Sequence, residues 1–105
     1  MTFTITQNGT ELTPAIRQYV EEKLQGLEKF MDIRHIDAEV GLANGHHNKG
    51  KIFMCKVNVQ VDGDVMQVER EADDLYKAID KVKDHLREEL SQWKKRLEDR
   101  AKGKA

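Results

Sequence analysis

Cysteine occurs once in these 105 residues, at Cys55, so an internal disulfide is excluded, and a lone thiol suits a reducing compartment. No apolar run approaches the ~18 residues that a membrane-spanning helix needs. The opening stretch MTFTITQNGT has no basic segment leading into an apolar block, so no secretion signal is expected. Charge of one sign is not in excess either. Eighteen Lys and Arg stand against 19 Asp and Glu, for a formal net charge of −1. A uniformly basic nucleic-acid binder is thereby excluded, and an anionic partner has to be met by a local patch. Ser-His-Asp order, a Gly-rich phosphate loop and paired carboxylates in a recognisable motif are all missing, which argues against an enzyme. Internal repeats and low-complexity blocks are missing too. What the chain does have is 38% apolar residues, enough for one modest core. A small soluble cytoplasmic domain is the expectation.

The apolar residues change period along the chain. Phe3 and Ile5 alternate with Thr2, Thr4 and Thr6, a short strand with one buried face. Thr13-Pro14 is a helix start: Thr13 can cap, and Pro14 at the first helical position loses no hydrogen bond. Ile16, Val20, Leu24, Leu27 and Met31 then follow at helical spacing and predict a helix to about Met31, with Gly26 inside it. Ile36, Ala38, Val40 and Leu42 predict a second strand. The polar stretch Ala43 to Lys51 reads as a loop. Phe53, Cys55, Val57, Val59 and Val61 predict a third strand with Met54, Lys56, Asn58 and Gln60 on its outer side. Asp62-Gly63-Asp64 turns it into a fourth strand carrying Met66 and Val68. Asp73 or Asp74 caps a last helix in which Leu75, Ile79, Val82, Leu86, Leu90, Trp93 and Leu97 form the strongest periodic signal in the chain.

The order β-α-β-β-β-α, with one apolar face per strand and one apolar stripe per helix, implies an α+β two-layer sandwich. A four-stranded mixed sheet should carry both helices on one face. Residues 1–98 are expected to form a single domain, and 99–105 a flexible basic tail.

Charge is segregated. Ala43 to Gln60 holds Lys49, Lys51 and Lys56 without an acid, a local +3. Ser91 to Ala105 carries a local +4 that includes Lys94, Lys95 and Arg96, which leaves −8 for the remaining residues. A phosphate-binding protein with a local target needs such segregation. The plainer reading is a solvated loop and a basic helix end that complements the helix dipole. Adjacent His46 and His47 have poor chelate geometry, and no metal or other cofactor is expected. Cys55 is on the inward side of its strand, as a buried structural thiol. Trp93 is in register with the apolar stripe and reads as core, whereas Tyr76 flanks the stripe and is a candidate base-stacking platform.

Two stretches, Glu11 to Phe30 (ELTPAIRQYVEEKLQGLEKF) and Asp74 to Asp80 (DLYKAID), resemble the short ribosome hibernation factors. These form the family of the ribosome-associated inhibitor, hibernation-promoting factor and sigma-54 modulation protein. The resemblance covers nearly the whole chain. It implies a stress or stationary-phase factor that binds the small ribosomal subunit between head and body, where messenger and transfer RNA pass, and silences it reversibly. It implies ribosomal RNA phosphates as the partner, with no small-molecule substrate and no membrane, and a monomer when free. Lys23, Lys29 and Lys94 or Lys95 match basic positions of the family. His85, Glu88, Gln92 and Gly26 stand where the family is usually basic, and Lys77, Lys81 and Arg87 are placed to replace them in part. The candidate RNA-binding residues are therefore Lys23, Lys29, Lys49, Lys51, Lys77, Lys81, Arg87, Lys94, Lys95 and Arg96. From the residues alone, a protein-interaction module and a general double-stranded RNA binder stand beside this reading.

Overall fold

The computed structural model describes residues 1–29, 32–43 and 52–103, the last three by their backbone alone. Its elements are β1 (Thr2–Asn8), α1 (Pro14–Gln25), a 3-10 turn (Gly26–Lys29), β2 (Ile33–Leu42), β3 (Phe53–Val61), β4 (Asp64–Ala72) and α2 (Leu75–Gly103). The strands lie in the order β1-β2-β3-β4. β1 pairs parallel to β2, while β2 with β3 and β3 with β4 are antiparallel. The sheet is mixed because α1 returns the chain to the starting edge of the sheet, so that β2 runs alongside β1 in the same direction. This is the α+β order expected from the periodicity.

The strands bury alternate residues on one face. Ile36, Ala38 and Val40 of β2, Cys55, Val57 and Val59 of β3, and Val68 of β4 share one core with Val20 and Leu24 of α1 and Leu75, Ile79, Val82, Leu86 and Leu90 of α2. Both helices therefore cover the same face of the sheet. Phe3 and Ile5 are only half-buried. Their strand is an edge, so one flank of each side chain has no neighbour to cover it.

The chain departs from the sequence reading at two boundaries. α1 stops at Gln25, and Gly26 is its C-cap rather than a mid-helix residue. The tighter turn that follows keeps Leu27 buried, which a straight 3.6-residue helix to Met31 was expected to do; Phe30 and Met31 lie outside the described residues. α2 runs on to Gly103, past the boundary at residue 98. Its 29 residues span ~44 Å at 1.5 Å each, against ~30 Å for the nine residues of β3. The last turns therefore extend beyond the sheet. Met54 keeps the outer register of β3, in line with Lys56 and outside the core cluster, although only 6% of its surface is exposed.

Local chemistry explains the helix starts. The Thr13 hydroxyl accepts from the Ile16 amide at 3.2 Å, with Pro14 at the first helical position. At α2 the Asp74 carboxylate accepts from the Tyr76 amide at 2.7 Å, so Asp74 is the cap. Asp73 instead faces Lys77 Nζ at 3.4 Å.

Candidate functional site

α1 and α2 lie side by side on the sheet, and their facing flanks form a groove toward the lower end of α1. Helical spacing dictates its composition. With Val82, Leu86 and Leu90 turned into the core, Lys83, Arg87, Ser91 and Lys94 fall on the flank that faces α1. A hollow of about 390 Å³ is lined by Lys23, Gly26 and Lys29 on one side and Lys83 and Arg87 on the other. A second, of about 470 Å³, continues it along Lys29, Ser91, Lys94 and Lys95. Lys29 belongs to both, so the two form one basic track.

A tyrosine cluster at the upper end of the helix pair fixes the width of this groove. The Tyr19 hydroxyl of α1 donates to Asp80 of α2 at 2.6 Å. Its ring meets Tyr76 edge-to-face at 4.8 Å. Lys23 Nζ stands 5.2 Å from the centre of the Tyr19 ring. The bond to Asp80 is the main reason the Tyr19 phenol is pushed from 10.0 up to about 12, with burial adding to it.

Among the described residues, Lys29, Lys94 and Lys95 have no ion-pair or hydrogen-bond partner, and Lys83 meets only Asp84, at 3.8 Å. Glu22 and Glu98 are the acids lining the track. The open face of the sheet is the reverse. Asp37, Glu39, Glu69 and Glu71 alternate outward there, with Lys56 paired in register between Glu39 and Glu69. Thr4 donates to Asp37 at 2.8 Å and Asn8 to Glu39 at 3.1 Å. The open sheet face is thus net acidic, whereas the groove between the helices is net basic.

Of the ten residues proposed from sequence, Lys23, Lys29, Arg87, Lys94 and Lys95 come together in the groove. Lys77 and Lys81 stand apart on the first turns of α2, Lys77 facing Asp73 and Lys81 donating to the Glu71 carbonyl at 3.2 Å. Arg96 is on the opposite flank of α2, beside Trp93. Lys49 and Lys51 lie outside the described residues, as do His46 and His47. His85 and Gln92 also fall on the β4 flank: Arg70 donates to His85 Nδ1, and His85 Nε2 faces Glu89 at 3.3 Å. Glu88 and Gln92 are both exposed. Sequence reasoning passed over Lys83. Its signal was available, since it precedes Arg87 by one turn on the same helix flank.

Cys55 is wholly buried in β3, and burial pushes its thiol from 9.0 up to about 12. Among the described residues, no three His, Cys, Asp or Glu side chains are grouped to hold a metal ion.

The family described as sigma 54 modulation protein / S30EA ribosomal protein matches residues 3–98. The chain belongs to this family. Ribosome hibernation promotion factors of Deinococcus radiodurans and Staphylococcus aureus are 32% identical to this member over 97% of its length and 30% identical over 90%. That alignment covers 54% of the first relative and 49% of the second, so the chain spans about half the length of these curated relatives. The crystal structure of the Thermus thermophilus Protein Y N-terminal domain superposes with a TM-score of 0.72 at 33% identity, covering 89% of this chain and 99% of that one. A ribosomal subunit interface protein from Coxiella burnetii, at 24% identity and a TM-score of 0.74, shares the fold over 90% of this chain and 98% of its own.

Proposed function

We propose that this family member is a ribosome-associated hibernation factor that binds the small subunit through ribosomal RNA phosphates and reversibly inhibits translation, in the channel that messenger and transfer RNA use. The observation that carries the reading is the basic track, in which Lys29, Lys94 and Lys95 lack acceptors of their own. A phosphate backbone supplies acceptors at regular intervals, and lysines recognise it as point charges without reading sequence. The acidic sheet face is repelled by phosphate, which orients the helix layer toward the RNA. Relatives carrying the name ribosome hibernation promotion factor support the same reading.

Co-sedimentation of the full chain with small subunits, across a salt series, tests it. Each phosphate contact contributes a salt slope of about one, so the triple variant Lys29→Ala, Lys94→Ala, Lys95→Ala should lower the slope by about three. Its thermal midpoint should stay nearly constant, because exposed charges contribute little to folding. Binding that persists at high salt and ignores the triple variant would replace phosphate contact with an apolar protein interface.

A further inference from the structure

We propose that the hollow between the β3–β4 turn and the last turns of α2 is a second RNA contact, which takes one unstacked nucleotide with its base on Trp93 and its phosphate on Arg96 and Arg100. The inference rests on the ribosomal RNA reading and extends its footprint to the opposite flank of α2.

The hollow measures about 280 Å³ and is lined by Asp62, Asp64, Trp93, Arg96, Leu97 and Arg100. The four α2 residues share one face because offsets of three, four and seven residues return to the same side of a helix. Trp93 is half-buried, packed against the core and also lining the hollow. Its indole Nε1–H donates to Asp64 at 3.1 Å, which fixes the orientation of the ring. Leu97 leaves 39% of its surface exposed beside it.

The charges of the hollow are unequally satisfied. Asp62 is held by Arg34 at 3.2 Å. Asp64 accepts from Trp93 and, at 2.8 Å, from the Val65 amide. Both carboxylates therefore have donors. Among the described residues, Arg96 and Arg100 have no acceptor. The site thus presents two unpaired guanidinium groups, one turn apart, next to a fixed aromatic ring and an exposed leucine. A phosphate satisfies guanidinium with paired, charge-assisted bonds. A base supplies the flat apolar surface that an indole and a leucine leave uncovered. The volume is just below the ~300 Å³ at which small-molecule sites begin, which suits one nucleotide and not a helix of RNA. An acidic peptide would satisfy the arginines but leave the ring open.

Trp93 is the only tryptophan of the chain, so tryptophan fluorescence reports on the surroundings of this one ring. The full chain is titrated with a short single-stranded oligouridylate at low salt. A saturable quench is expected, and the double variant Arg96→Ala, Arg100→Ala should reduce its salt slope by about two. Trp93→Leu, followed through a labelled oligonucleotide, should weaken binding roughly tenfold. Circular dichroism checks its fold, and if that variant does not fold, the arginine pair, being exposed, still decides the question. Fluorescence unchanged by saturating oligonucleotide overturns the proposal. So does an equal quench by polyglutamate, which would assign the hollow to an acidic protein segment. Small subunits provide the separation between the two readings. Co-sedimentation with silent Trp93 fluorescence would retain the groove and remove the hollow. A quench by oligonucleotide without co-sedimentation would do the reverse.

Discussion

The Tyr19 hydroxyl donates to the Asp80 carboxylate across the seam between α1 and α2, at 2.6 Å. It ties the two helices together at the head of the basic groove. Its consequence is a stability term with a defined pH window. The phenol is pushed from 10.0 up to about 12, so it is protonated in both states below pH 10 and contributes fully there. As pH rises from 10 to about 12, the unfolded chain releases this proton before the folded one, and stability falls. Urea unfolding across that range should show the fall, and Tyr19→Phe should make it shallower. At neutral pH the same variant should cost about 1 kcal/mol for the lost bond to a charged acceptor.

Cys55 contributes in the same direction over a wider window, because its thiol moves from 9.0 up to about 12. Its protonated form dominates the native state at neutral pH, and the side chain is sealed in the core. Alkylation by iodoacetamide should therefore follow the rate of opening of the native state and accelerate sharply in denaturant. Rapid labelling of the folded chain at pH 7.5 (a condition where a free exposed thiol reacts readily) would contradict the buried structural role.

Replacing Asp74 by Ala should destabilise the chain by about 1 kcal/mol, because its carboxylate accepts from the Tyr76 amide at 2.7 Å. Asp73→Ala loses only an exposed pair with Lys77 and should change stability by less than about 0.5 kcal/mol. Equal effects of the two variants in thermal or urea unfolding would show that the acidic pair acts by charge on the helix dipole rather than by capping.

Two glycines should respond oppositely to substitution. A Cβ at Gly41 would stand 1.9 Å from the backbone oxygen of Asn8, its neighbour across β1 and β2. Gly41→Ala has to push the edge strand aside and should cost about 1–3 kcal/mol. Gly26 lies in the groove with φ −60° and nothing within 4 Å of an added Cβ. Gly26→Arg should therefore fold normally, add one cation to the track and raise the salt slope of RNA binding by about one. An unchanged slope in this variant would place the phosphate path outside the groove.

Lys83 tests whether the groove acts as a unit. It is less exposed than its Asp84 neighbour, 28% against 74%, and faces the hollow from the opposite wall to Lys23. Lys83→Glu should weaken subunit binding more than Lys77→Glu, although both remove one lysine, because only Lys83 lies on the track. Binding assays at one fixed salt concentration make the comparison. A larger effect at Lys77 would move the contact to the start of α2.

The sequence alone determined the elements and their order. Each strand and helix carries its own period, and that period is local chemistry: Thr13-Pro14 starts a helix whatever it later packs against, and Val57, Val59 and Val61 cannot all be buried except as a strand. The resemblance in Glu11 to Phe30 and Asp74 to Asp80 was legible for the same reason, since it is carried by contiguous residues. Only the tertiary structure decided which cations meet. Lys29 and Lys94 are 65 positions apart, and they share a groove because α1 ends early, at Gly26, and α2 lies beside it. Arg96, close to Lys94 in the chain, is carried to the other flank by the rotation of the helix. His85 is diverted to Arg70 on β4, and Trp93, in register with the core, also opens onto a hollow because α2 outruns the sheet that would have covered it. A charged side chain has no period that the chain must obey. Its neighbours are set by how the apolar faces pack, and that packing is a property of the assembled layers.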